Sequence, residues 1–268
     1  GPQTRFSFIC LIFWVKGERY IFQSCEILTT MLRKYHARYV AGGIGAPYGN
    51  IDQLGKFMII DLSHTIKMGM PVYPGSPQPK ISDLGLYDEH GVYIQEFTLH
   101  GHVGTHVDAP AHLFADGNTV ESMDISAFFG TAQVLDCSKF GSNEIIGSEI
   151  LDQLNITEHP DFILLYTGWD KMWPTENYFE LFPVVSEDLI GTLAETKIKG
   201  IGLDTISLDS IDAHDLPNHK KILGSDKIII ENLTNLQRLM GKRFQFSCFP
   251  LKMLNGDGSP VRAVGIVD

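Results

Sequence analysis

Four of the ten histidines fall between positions 100 and 112, and three of them stand with an aspartate in the run HVGTHVDAPAH, His102 to His112. No other segment constrains the chain as much. His102 and His106 are four apart, the spacing of one helical face, but Gly101, Val103, Gly104, Thr105, Val107 and Pro110 oppose a helix there. The segment is therefore strand or loop. In an extended chain His102, His106, Asp108 and His112 all point to one side, because side chains alternate with a period of two. Full extension would put His112 roughly 33 Å from His102 at about 3.3 Å per residue, so side chains that share a ligand require a bend. Gly104 and Pro110 are where a bend costs least. Two imidazoles and a carboxylate brought together suit a borderline divalent ion such as Zn²⁺ or Mn²⁺ better than they suit calcium.

A second pair, His219 and Glu231, stands twelve residues apart, with Glu231 closing the strand-like KIII. Alone this pair carries little. Added to the first run it makes five donors, three imidazoles and two carboxylates, enough for two ions bridged by Asp108. Taken singly, His64, His90, His100 and His159 read as hydrogen-bonded structural residues.

Charge and cysteine usage exclude several classes. The formal net charge is -11, and Lys and Arg are spread along the chain with no basic block, which argues against a nucleic-acid or anionic-membrane surface and favours a small-molecule partner. Cys10, Cys25, Cys137 and Cys248 form no CxxC pair and read as free thiols in a reducing compartment. The apolar run from Phe6 to Val15 is about half of the roughly 20 residues that span a bilayer, and the Lys16 to Arg19 stretch after it offers no cleavage site. The expectation is a soluble, cytoplasmic protein. No GxSxG elbow occurs, and neither Cys137 nor Cys248 has a histidine beside it, so serine or cysteine hydrolase chemistry lacks support.

Residues 1–57 differ in character from the rest and read as an extension outside the domain, with a helical piece around Cys25 to Tyr39 and a linker-like AGGIGAPYGN. The domain proper is expected over 58–268. Strands are predicted at 57–62, 93–99, 131–136, 162–167, 200–203 and 227–230, and helices at 142–154, 186–195 and 233–240. This alternation predicts a mixed α/β domain.

The run HVGTHVDAPAH resembles the HxGTHxDxPxH signature of the cyclase and bacterial kynurenine-formamidase family of metal-dependent hydrolases. The segments IIDLSHTI with MPVYPG, LLYTGWDKMW, GIGLDTISLD, the His219 and Glu231 pair before NL, and the closing GDGSPVRAVGIV match it in order. The resemblance covers Met58 to the C-terminus. It implies a swivelling β/β/α architecture with a central mixed sheet and a homodimer or homotetramer.

By that resemblance His102, His106, Asp108, His219 and Glu231 are metal ligands for two zinc or manganese ions, with His219 preferred over His214. His112 is then the catalytic imidazole, or an outer hydrogen-bond partner of a ligand. The implied activity is hydrolysis of an amide, lactam or ester in a small aromatic or cyclic substrate by metal-activated hydroxide. Tyr73 stands where formamidases tend to carry tryptophan, which favours the broader cyclase branch and keeps isatin-hydrolase-like ring opening in view. The remaining alternative is a catalytically silent metal-binding protein. Tyr73, Trp169 and Trp173 are candidate substrate contacts or plain core aromatics, and Asp204 and Asp209 either orient a metal-binding histidine or cap the helix or turn that follows.

Overall fold

The computed structural model describes residues 11–15, 18–22, 57–154 and 159–267. Contacts divide the chain into Gly1–Leu54 and Gly55–Asp268. In the first unit, β1 (Leu11–Val15) pairs antiparallel with β2 (Glu18–Phe22). The helix expected around Cys25 to Tyr39 and the linker at 41–50 lie outside the described residues.

The second unit is built on a nine-stranded mixed sheet. In chain order the elements are β3 (Met58–Asp61), β4 (Lys80–Gly85), the single turn α1 (Tyr87–His90), β5 (Ile94–Thr98), β6 (His106–Asp108), β7 (Phe129–Asp136) and β8 (Ile145–Ile146). There follow β9 (Phe162–Tyr166), β10 (Val184–Val185), α2 (Glu187–Glu195), β11 (Gly200–Leu203), α3 (Pro217–Leu223), β12 (Ile228–Glu231), β13 (Arg243–Ser247), β14 (Gly258–Pro260) and β15 (Val264–Val267). Across the sheet the order is β14-β6-β12-β11-β9-β7-β13-β15-β3. The four central strands β12, β11, β9 and β7 run parallel, and those on either side pair antiparallel.

Strands β9, β11 and β12 are buried along their whole length because both faces of the sheet are covered there. Phe162, Leu164, Ile228 and Ile230 turn to one core with Val107, Phe244 and Phe246. Ile163, Leu165, Ile201 and Ile229 turn to the other, where α2 buries Leu189, Ile190, Leu193 and Ala194. Ser186 caps α2 by accepting from Leu189 N–H at 3.2 Å, and Glu187 and Asp188 complement its N-terminal dipole.

Two predicted helices do not form. Residues 142–154 hold Asn143 at φ 62°, then β8, then a 3₁₀ turn at Ser148–Gln153. Over 233–240 there is only a 3₁₀ turn, Leu236–Leu239. There the amides of Leu233 and Thr234 are committed to the carbonyls of Leu203 and Leu62, and Asn235 at φ 60° breaks the helical path. No helix among the described residues is long and apolar enough to cross a membrane.

Candidate metal centre

Strand β6 lies between β12 and β14. Its register sets His106 opposite Glu231 on one side and Asp108 opposite Gly258 on the other. Val107 turns into the core, so His106 and Asp108 share the opposite face with Glu231, as strand alternation requires. The bend before β6 occurs at Gly104, whose φ of 65° a side-chain residue rarely adopts. The bend after it is a 3₁₀ turn over Pro110–His112. Together they bring the His112 and His102 rings to 4.0 Å between centroids.

The fifth donor arrives on α3, with Pro217 in its first turn. Asp209 accepts from the Asn218 and His219 amides at 3.0 Å each and from His219 Nδ1 at 2.7 Å. Both readings of Asp209 therefore hold: it caps α3 and it orients the ring. Asp204 does neither; it accepts from the Thr167 hydroxyl at 2.6 Å and the Gly168 amide at 2.8 Å, binding the turn after β9.

Each of the three histidines is tethered on one nitrogen and aims the other at the carboxylates. His106 Nδ1 donates to the Gly104 carbonyl at 2.8 Å, and its Nε2 lies 3.2 Å from Asp108 Oδ1 and 3.5 Å from Glu231 Oε2. His219, held through Nδ1, places Nε2 3.1 Å from Glu231 Oε1 and 3.8 Å from Asp108 Oδ2. His102 uses the reverse sense, with Nε2 2.9 Å from Asp257 Oδ2 and Nδ1 2.6 Å from Asp108 Oδ1. Fixing a ring through its outer nitrogen is how proteins set the tautomer of a metal-binding histidine. Asn232, at φ 57°, supports the arrangement by donating from Nδ2 to the same Gly104 carbonyl at 2.8 Å and accepting from the buried Tyr178 hydroxyl at 2.8 Å.

The electrostatics fit a cation. Burial disfavours the Asp108 carboxylate, but the facing His106 and His102 rings outweigh it and hold the group well below the usual range. Burial likewise opposes charge on His102 and His219; Asp108 with Asp257 in the first case, and Asp209 with Glu231 in the second, push each imidazole up to about 10. The buried carboxylates demand positive charge, which protons or a divalent ion can supply. Ligating atoms of His102, His106 and Asp108, of Asp108, His219 and Glu231, and of His102, His112 and Asp257 form three groups, each within 4.8 Å. Nitrogen and carboxylate donors in this mixture suit zinc or manganese.

His112 differs from the ligand candidates. It lies 3.4 Å from Asp257 Oδ2 through Nδ1, and burial lowers its pKa, favouring the neutral ring. The centre forms the floor of a cavity of about 240 Å³ whose walls include Tyr73, Ser76, His100, Ile206 and Leu216. Leu216 is held at φ 45°, a strained backbone for a side-chain residue, immediately before α3.

Of the aromatic candidates, Tyr73 lines this cavity. Trp169 and Trp173 stand apart from it: Trp169 Nε1 donates to the Tyr178 carbonyl at 2.9 Å, and Trp173 stacks on His64 at 4.0 Å. Sequence reasoning missed Asp257, whose only local sign was an aspartate between two glycines, and placed His100 among structural histidines although it lines the cavity. Cys137 and Cys248 are both buried; burial pushes the Cys137 thiol up to about 12 and raises that of Cys248 as well, so neither suits a nucleophile.

In this mixed α/β sheet, β6, β12 and α3 gather histidines and carboxylates beneath a cavity as a candidate metal site. The Cyclase family model matches residues 60–210, and the chain belongs to that family. It is 30% identical over 206 residues to a kynurenine formamidase of Bacillus cereus, covering 76% of this chain and 95% of that protein. Isatin hydrolase A from Labrenzia aggregata, solved with benzyl benzoate, superposes with a TM-score of 0.73 at 26% identity over 88% of this chain and 99% of its own. A structure described as a potential metal-dependent hydrolase with cyclase activity gives 0.65 at 28% identity, covering 78% and 98% of the two chains.

Proposed function

We propose that the chain is a metal-dependent hydrolase acting on a carbon–nitrogen bond of a small aromatic or cyclic substrate, of the kynurenine-formamidase type. One observation carries this reading: three tethered histidines aim their remaining nitrogens at Asp108 and Glu231 on a cavity floor, with His112 beside them. His102, His106, Asp108, His219 and Glu231 would hold one or two zinc or manganese ions. When bound, such an ion supplies Lewis acidity toward a carbonyl and a fixed positive charge for the oxyanion.

The chain's own groups do the rest. His112, neutral and directed through Nδ1 toward Asp257, keeps Nε2 to take a proton from the attacking water and return it to the leaving nitrogen. Tyr73, Ile206 and Leu216 offer apolar walls to a flat ring. Lactam opening of the isatin type is the second reading, favoured by the isatin hydrolase likeness and by Tyr73 in the opening PVYPG stretch. The expected working state is a cytoplasmic homodimer or homotetramer; the paired β4 and β5, which leave Leu84, Tyr93, Ile94 and Phe97 exposed, support assembly.

The test is hydrolysis of N-formylkynurenine and of isatin by the metal-loaded protein, before and after chelation. Turnover of one compound that chelation abolishes, and that His112→Ala lowers at least about 100-fold with the metal retained, is the expected result. Metal-loaded protein inert toward both compounds would leave the catalytically silent alternative standing.

A further inference from the structure

We propose that Asp257 is a positioning residue that holds the ligand candidate His102 and the proton-transfer candidate His112 through one carboxylate oxygen. Oδ2 lies 2.9 Å from His102 Nε2 and 3.4 Å from His112 Nδ1, and the two rings meet at 4.0 Å with a 39° tilt. A carboxylate oxygen only accepts, so both ring nitrogens facing it carry their hydrogens. That choice makes His102 Nδ1, 2.6 Å from Asp108 Oδ1, the nitrogen that gives up its proton when an ion binds, and leaves His112 Nε2 as the lone pair for chemistry. One group thereby selects two tautomers. Asp209 and the Gly104 carbonyl each serve a single ring.

The surroundings show that this placement is built. The loop 255–257 is tied down by Glu121, which accepts from the Asn255 amide at 2.6 Å and the Gly256 amide at 3.3 Å. The Asp257 carbonyl accepts from Ala109 N–H at 3.0 Å, and the next residue begins the pairing of β14 with β6. That pairing is close enough to exclude a side chain: a Cβ on Gly258 would stand 2.8 Å from the Val107 carbonyl oxygen of β6 and 2.6 Å from His102 Cε1. The Asp257 side chain is 51% exposed, unlike Asp209 at 2%, so truncating it leaves the core untouched.

The inference about His112 rests on the hydrolase reading; that about His102 needs only a metal site. Metal-stripped wild type, Asp257→Ala and Asp257→Asn are titrated with Zn²⁺ in competition with a chromophoric chelator. Asp257→Ala is expected to bind the same number of ions with affinity lowered about 10–100-fold, the usual cost of losing an outer partner, and Asp257→Asn, which keeps an acceptor without the charge, to fall between. Unchanged affinity, or loss of a whole ion per chain, overturns the proposal, the latter by making Asp257 a ligand.

Ring-nitrogen NMR of the zinc-loaded protein reads the tautomers without any substrate. His112 is expected as the Nδ1–H form in wild type and as a tautomer mixture in Asp257→Ala; identical spectra overturn its half of the proposal. At saturating zinc, with whichever compound wild type hydrolyses, Asp257→Ala should lower kcat about 10-fold or more with KM little changed, and under about 2-fold in a His112→Ala background. Losses that multiply in full contradict action through His112. A wild type inert toward both compounds sinks the hydrolase reading, while the titration and the spectra still decide the role of Asp257.

Discussion

Glu231 lies directly across the sheet from His106, its Oε2 3.5 Å from His106 Nε2 while its Oε1 stands 3.1 Å from His219 Nε2 and accepts from the Leu208 amide at 3.0 Å. One side chain at the end of β12 therefore links the donor on β6 to the donor on α3. Removing its charge should cost more than removing an outer partner. Glu231→Gln is expected to lower zinc affinity by more than about 100-fold, whereas Asp209→Asn, which acts through His219, should cost about 10–100-fold. Chelator competition on both variants checks the order; equal losses would contradict the assignment of Glu231 as a ligand.

Metal binding should release protons. With their neighbouring carboxylates, His102 and His219 titrate up to about 10, so both carry protons at neutral pH before an ion arrives. A cation displaces protons from the nitrogens it takes, up to about two per chain at pH 7. Titration of metal-stripped protein in weak buffer with a pH indicator measures this directly. Release should shrink in His219→Ala, and zinc uptake with no proton release in wild type would contradict the account.

His64 gives the fold an acid-sensitive element outside the ligand set. Burial against Trp173 lowers its pKa from 6.5 to about 4, against a smaller opposing pull from Asp170, and its buried Nε2 has no hydrogen-bond partner among the described residues. The folded state then binds fewer protons than the unfolded chain between these values. Stability contributed by neutral His64 is complete above about pH 6.5 and declines as pH falls toward 4. In metal-stripped protein, Tm should drop over this window in wild type and drop less in His64→Phe, which keeps the stack. Equal slopes in the two proteins would rule out His64 as the source.

Legibility in the sequence followed locality. The runs 162–166, 200–203 and 228–230 are uninterrupted apolar stretches because both sheet faces are covered, and their strands stand where periodicity placed them. The bend at Gly104 and the turn at Pro110 were equally local and equally readable. Helix α3 was not, because it is seven residues long and takes its cap from Asp209, a residue well before its first turn. Asp257 escaped for the same reason: its partners His102 and His112 are 155 and 145 residues away, and only the pairing of β14 with β6 brings them together. Trp169 and Trp173 sit near the signature segments in sequence yet pack beside Tyr178 and His64 rather than over the centre.

The central claim is that His102, His106, Asp108, His219 and Glu231 form one divalent-metal centre, and metal content of the purified protein by elemental analysis tests it most directly. Wild type is expected to carry near-stoichiometric zinc or manganese, with two ions as the full complement, and a His106→Ala, His219→Ala double variant to carry almost none while keeping its secondary structure. Wild-type protein that remains metal-free after incubation with zinc or manganese, or a double variant that binds as much metal as wild type, would contradict it.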